Sequence, residues 1–191
     1  MHDQLSADGD NPMCGSLSAR STVVPLMVSS KTMIANPYAS FVGTREPREV
    51  VETTALELHR LAGRIGTARI TTPRAPGKWS ARDILAHLAD CEIAFAYRLR
   101  QVLAEDHHVI QPFDQDKWAA PYGSMDANAA LQLFEALRNW NVALLKTLTP
   151  AQFHRLTTHP ERGEMTFQTI VETMAGHDIN HLQQLEEIAS R

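Results

Sequence analysis

Apolar residues recur at three- and four-residue spacing in four stretches of the chain, and Pro- and Gly-containing breaks separate them. The first, "EPREVVETTALELHRLAGRIG", places Val51, Ala55, Leu58, Ala62 and Ile65 on one helical face, with Pro47 near its start and Gly66 at its end. After the break "TTPRAPGK", the stretch "WSARDILAHLADCEIAFAYRLRQVLAE" opens on Ser80 as N-cap with Asp83 three residues on, and Trp79 and Ile84 are spaced for a hydrophobic staple. Its apolar stripe is Ile84, Leu88, Cys91, Phe95, Leu99 and Val102, while Arg82, Glu92 and Arg100 fall off it. A third helix is predicted from Ser124 or Asp126 to Leu148, with Ala130, Leu133, Phe134, Leu137, Trp140, Leu144 and Leu145 facing inward. A fourth runs from Thr166 to about Ala189, after the polar connection "HPERGEMT".

No segment sustains period-two alternation between hairpin turns, so the expectation is an all-α chain without a sheet. Four helices with a long second connection, "DHHVIQPFDQDKWAAPYGS", predict a four-helix bundle, a fold that builds metal sites from side chains on facing helices. The chain of 191 residues suits one core. Residues 1–32, rich in Ser, Asp, Gly and Pro, read as a disordered extension to a domain spanning 33–191, and Met33 is a second candidate start. "VVPLMV" is too short for a secretory apolar core, so no signal peptide is expected.

Composition narrows the partners. A hydrophobic content of 43 % contains no run near the roughly 20 apolar residues of a membrane span. A net charge of -4 and the lack of a Lys/Arg cluster argue against nucleic acid. Two cysteines, Cys14 and Cys91, make no disulfide framework, and Cys91 reads as a small core residue in a reducing, cytoplasmic setting.

The candidate chemistry lies in "GHDINH". At about 100° per residue, Ile170, Met174, His177, His181, Leu185 and Ile188 share one stripe of the fourth helix, so both histidines face the core. On spacing alone, two core histidines satisfied by hydrogen bonds stand level with a metal-ligating i, i+4 pair; a third ligand decides. The second helix offers His87 on the edge of its stripe. His2, His59, His107, His108, His154 and His159 read as surface residues. Three neutral imidazoles suit Zn²⁺ or Ni²⁺ and leave a position for water or substrate. His177 is followed by Asp178, which points about 100° away, so H-E-x-x-H is absent and a zincin-type protease is not supported. Asp90, a turn beyond His87, is a candidate to orient a ligand or the water at the metal, and equally a solvated helix residue.

"GKWSARDILAHLADCE" resembles the second-helix signature of the DinB/YfiT superfamily, and "GHDINHLQQLEEI" resembles its final helix. "IQPFDQDKWA" is similar to the segment after the second helix in the YfiT-like branch, and the three matches lie in the expected order between Pro47 and Ile188. The resemblance implies an up-down-down-up four-helix bundle, often a homodimer, with a metal held by His87, His177 and His181. Members are described as metal-dependent hydrolases, and some as S-transferases that join a low-molecular-weight thiol to an electrophile.

The leading expectation is therefore metal-assisted transfer of a small thiol, activated as its thiolate, to an electrophile. The alternatives are hydrolysis by metal-activated water and a metal-binding or dimerisation module without turnover. Asp90 is the candidate general base. Phe113 and Trp118 are candidates for a substrate wall, set against the plainer reading that they anchor the long loop. Arg98 and Arg100 are candidates to attract a substrate carboxylate, set against ordinary exposed arginines.

Overall fold

The computed structural model describes residues 36–191; the extension expected over residues 1–32 lies outside them. A short helix α1 (Ala39–Val42) precedes the first long helix α2 (Pro47–Ile65), and α3 (Ala81–Ala104) follows the break at Gly66. The second connection holds α4 (Gln115–Ala119) and a 3-10 turn at Tyr122–Ser124. Helix α5 (Ala127–Thr147), a single turn α6 (Pro150–Phe153), strands β1 (Leu156–His159) and β2 (Gly163–Thr166) and the last helix α7 (Phe167–Ala189) complete the order. The start of α3 is the predicted one. Ser80 Oγ accepts from the Asp83 amide and Asp83 returns a bond to the Ser80 amide, so two otherwise orphaned donors are satisfied reciprocally.

Side-chain pairs give the directions of the helices. Thr54 meets Asp178 and Arg64 meets Glu186, so α2 and α7 run the same way. Glu92 meets Arg138 and Arg100 meets Asn141, so α3 and α5 also run together. His87 lies against His181 while Cys91 and Phe95 lie against His177, which makes α3 antiparallel to α7. The order is up-down-down-up. Parallel α3 and α5 explain the long second connection: α3 alone rises about 36 Å, and the chain must return that distance before α5 can begin. It does so along α3, passing Arg98, which donates to the Gln111 carbonyl, and then Asp90, which accepts from Tyr122.

The apolar interior is divided in two. One cluster, around Leu58, Leu61, Ile84, Leu88, Phe134 and Ile188, fills one end of the bundle. Another, around Val51, Phe95, Leu99, Phe167, Ile170 and Met174, fills the other. Between them Arg138, 1 % exposed, donates to both oxygens of Glu92 (3.0 and 2.7 Å), to both oxygens of Asp178 (2.6 and 3.2 Å) and to the Val51 carbonyl at 3.1 Å. Asn141 donates to Glu92 at 2.8 Å and accepts from Arg100 at 2.7 Å. Burial works against the Arg138 charge, but Asp178 and Glu92 more than offset it and raise its pKa above the ordinary arginine range.

This polar layer corrects two sequence expectations. Glu92, read as lying off the α3 stripe, is buried, because Arg138 and Asn141 satisfy its carboxylate. The inward face of α5 is Ala130, Leu131, Phe134, Arg138, Asn141 and Leu145, while Leu133 and Trp140 stand exposed. A hydrophobicity count assigns an Arg and an Asn outward; only partners on other helices can hold them inside. The chain also contains a two-stranded antiparallel hairpin where a polar connection without strands was expected, with Thr157 opposite Met165 and both buried. Strands of four residues are too short to register as alternation. His108 beside this hairpin and His159 at the end of β1, both read as surface residues, are buried. Among the described residues no helix is long and apolar enough to cross a membrane.

Arg138→Met would leave the carboxylates of Glu92 and Asp178 buried and unpaired, at a cost of about 3–5 kcal/mol. Urea unfolding measures it, and a loss below about 1 kcal/mol would contradict the layer's role.

Candidate metal centre

Helix periodicity brings the three histidines together. His177 and His181 lie one turn apart on α7, and antiparallel packing sets His87 of α3 between them in height. One ring nitrogen from each of the three lies within 4.8 Å of the other two. The Nε2 atoms of His87 and His177 are 2.9 Å apart. Nitrogens bound at about 2.0–2.1 Å around a tetrahedral zinc stand roughly 3.3 Å from one another, so small side-chain adjustments convert this cluster into a coordination set.

All three rings are held neutral, the form that binds metal. Burial, and then the neighbouring His181, push His87 down to about 3. Burial pushes His181 down to about 4 although its bond to Gln184 works the other way. His177 is driven well below the ordinary value, first by burial and then by the other two imidazoles. The His181 Nδ1 lies 3.2 Å from Gln184 Oε1, which accepts its proton and leaves the Nε2 lone pair for a metal. His177 has no such support: its Nδ1 is buried without a hydrogen-bond partner among the described residues. Its polar needs fall on Nε2, the atom that faces His87. The donor set therefore fits a divalent transition ion.

Several neighbours escaped the sequence reading. Trp79, expected only as a staple, places its ring 4.8 Å from the His87 ring and 6.3 Å from that of His181. Cys91, expected as plain core, holds its Sγ 3.5 Å from His87 Nε2 and 3.8 Å from His177 Nε2, and burial raises its pKa so that it stays a thiol. Tyr38, from a segment to which no role was assigned, sets its ring 5.3 Å from His177, edge to face. Gly176 permits this, since a Cβ there would lie 2.4 Å from the Tyr38 carbonyl oxygen. The glycine beside His177 was a signal available in the sequence, but nothing in it named the segment that packs there.

A cavity of about 330 Å³ leads to His181 and is lined by Tyr38, Trp79, Lys78, Arg74, Gln115, Asn180 and Gln184 among others. The remaining sequence candidates sit elsewhere. Asp90 accepts from the Tyr122 hydroxyl at 2.8 Å, and the Tyr122 ring lies 6.5 Å from that of His87. Phe113 and Trp118 pack together at 4.6 Å and line a separate groove of about 580 Å³ against Ile93, Tyr97 and Arg98 of α3. From the long loop it is Gln115 that reaches the cavity at His181.

Comparison with known proteins places residues 51–185 within the DinB superfamily. A relative from Oceanobacillus iheyensis named "Putative metal-dependent hydrolase OB0782" is 29 % identical over 128 residues, covering 66 % of this chain and 74 % of its own. "Putative metal-dependent hydrolase YfiT" of Bacillus subtilis is 28 % identical over 146 residues, covering 75 % of this chain and 82 % of its own. The solved YfiT structure, described as "a probable metal-dependent hydrolase with an unusual four-helix bundle topology", matches with a TM-score of 0.70 and 26 % identity, over 76 % of this chain and 85 % of that one. A mycothiol-dependent maleylpyruvate isomerase shares the fold, with a TM-score of 0.58 at 12 % identity over 73 % of this chain and 59 % of that one.

Gly176→Ala should lower stability by up to about 2 kcal/mol: overpacking against the Tyr38 backbone costs roughly 1–3 kcal/mol, and the better helix propensity of Ala returns about 1. A more stable variant in urea unfolding would refute that packing. The histidines also predict a pH dependence. Their folded pKa values lie below the unfolded value of about 6.5, so the unfolded chain binds more protons on acidification. Stability of the protein stripped of metal should be full above pH 6.5 and fall toward pH 4; unfolding free energies that stay flat from pH 7 to 5 would contradict neutral burial.

Proposed function

As the chain belongs to the DinB superfamily, we propose that it is a metal-dependent hydrolase of a small molecule, with His87, His177 and His181 as ligands of one divalent transition ion, zinc or nickel. The observation that carries this reading is the convergence of three buried, neutral imidazoles at the end of an open cavity. A structural metal would be closed off by a fourth protein ligand; three histidines leave a position for exchange.

A divalent ion there supplies Lewis acidity, which lowers the pKa of water and polarises a substrate carbonyl. The protein does the rest. Gln184 keeps the His181 proton on Nδ1. Trp79 and Tyr38 cover the rings of His87 and His177 and restrict water to the cavity side. Burial, and then Cys91, raise the Tyr38 phenol, so it remains a proton donor where it lines the cavity. Asp90 accepts a hydrogen bond from the Tyr122 hydroxyl near His87, and its role is that of orienting Tyr122 rather than taking a proton from water directly.

Thiol transfer, which led in the sequence, now ranks second. The relatives from Oceanobacillus iheyensis and Bacillus subtilis carry hydrolase names, and at 12 % identity the thiol-dependent neighbour speaks for the fold only. The test begins with elemental analysis of native-purified protein beside His87→Ala. About one ion per wild-type chain and at least a tenfold weaker affinity in the variant are expected, while full occupancy of the variant would overturn the triad. Chromogenic ester and amide panels, run against thiol-plus-electrophile panels, then separate the two chemistries.

A further inference from the structure

We propose that Arg98 and Arg162 form a carboxylate-binding site one aromatic side chain, Phe95, away from His177. Arg98 of α3 and Arg162 of the β1–β2 turn line one small cavity together with Phe95, His159 and Thr173. Among the described residues neither guanidinium has a carboxylate within ion-pair distance, in contrast to Arg138 or Arg155. Among the described residues Arg98 makes one side-chain hydrogen bond, from Nη2 to the Gln111 carbonyl at 3.2 Å, although a guanidinium carries five donors. Its Cζ lies 6.0 Å from the Phe95 ring and 5.6 Å from the Phe113 ring, which hold the fork in place without neutralising it.

The electrostatics support the same conclusion. Burial and the nearby Arg162 both disfavour the Arg98 charge, and burial with both arginines holds His159 below its ordinary value. The carboxylate nearest in sequence, Glu161, is exposed on the hairpin turn. An arginine cannot relieve such a field by losing its proton, so a bound anion is the available remedy, and two guanidinium forks match a carboxylate. The cavity, about 10 Å³, holds no more than about one water-sized group, so an anion would seat one oxygen there and leave the rest of itself outside.

The position of the cavity supplies a role, which rests on the proposed metal centre. Phe95 lines it and also lies 6.2 Å from the His177 ring, and Thr173 is one turn before His177. Arg98 follows His87 by eleven residues, about 16 Å of helix rise, and helical side chains lean back toward the N-terminus, here toward His87. That role is to anchor a substrate carboxylate one aromatic side chain away from His177.

The anion site is testable without metal. Thermal midpoints of the metal-stripped full-length protein are measured in acetate, phosphate and chloride at equal ionic strength. Acetate should raise the midpoint by roughly 3 °C over chloride, and the part of the phosphate response that Arg162→Gln leaves in place is the general salting effect. Arg162→Gln, on the half-buried turn, should abolish the acetate response while helical circular dichroism and metal uptake stay at wild-type levels, and Arg162→Lys should keep part of it. A wild-type protein indifferent to acetate, an Arg162→Gln variant that still responds, or a response lost instead in Lys78→Gln at the other cavity would overturn the site. Because the midpoints are read on metal-stripped protein, failure here is distinct from failure of the hydrolase reading.

Discussion

The ion cluster centred on Arg138 is the constraint on which the rest of this bundle depends. It draws at least one group from every long helix to one level: the Val51 carbonyl of α2, Glu92 of α3, Arg138 and Asn141 of α5, and Asp178 of α7. Both carboxylates are paired with the one guanidinium and hydrogen-bonded, the condition under which buried ions are tolerated at all. Asp178 is the residue after His177, and Glu92 lies five residues after His87. The contacts that join α3 to α7 through Arg138 therefore also set the relative height of the two helices that bear the histidines. An apolar layer of equal volume could hold the helices together but would define that height less sharply.

Beside this charged layer the histidines occupy the opposite kind of environment. Arg138 is surrounded by acceptors, whereas the imidazoles are surrounded by Trp79, Tyr38, Phe95 and the thiol of Cys91, none of which stabilises a cation through a carboxylate. Burial keeps the rings neutral and their lone pairs available. The two layers are adjacent and complementary: one fixes geometry with charge, and the other preserves metal-binding capacity by excluding charge. The cavity at His181 then makes the cluster reachable from solvent.

The helices of this protein were legible because their signals are local. The capping box at Ser80, the apolar stripe of α3 and the inward turn of His177 and His181 each depend on residues within a few positions of one another, and the structure keeps all of them. The second helix could be searched for a partner histidine because only His87 lay near its stripe. Errors arose where a polar residue is buried by a distant partner. Glu92, Arg138 and Asn141 look like surface residues until Asp178 and Thr54 are brought across the bundle, and Leu133 and Trp140 look like core until those polar groups take the inward positions of α5.

By itself, then, the sequence determined four amphipathic helices, their order and boundaries, and three histidines on inward faces, because hydrophobic periodicity and capping act over one or two turns. Which helices run parallel was implied only by the family resemblance, and tertiary structure alone decided the return path of the long connection along α3, the burial of the Arg138 cluster and the hairpin that carries Arg162. It also decided that Tyr38 rests on Gly176 and covers His177. These depend on contacts between residues tens of positions apart, whose energies no local pattern encodes.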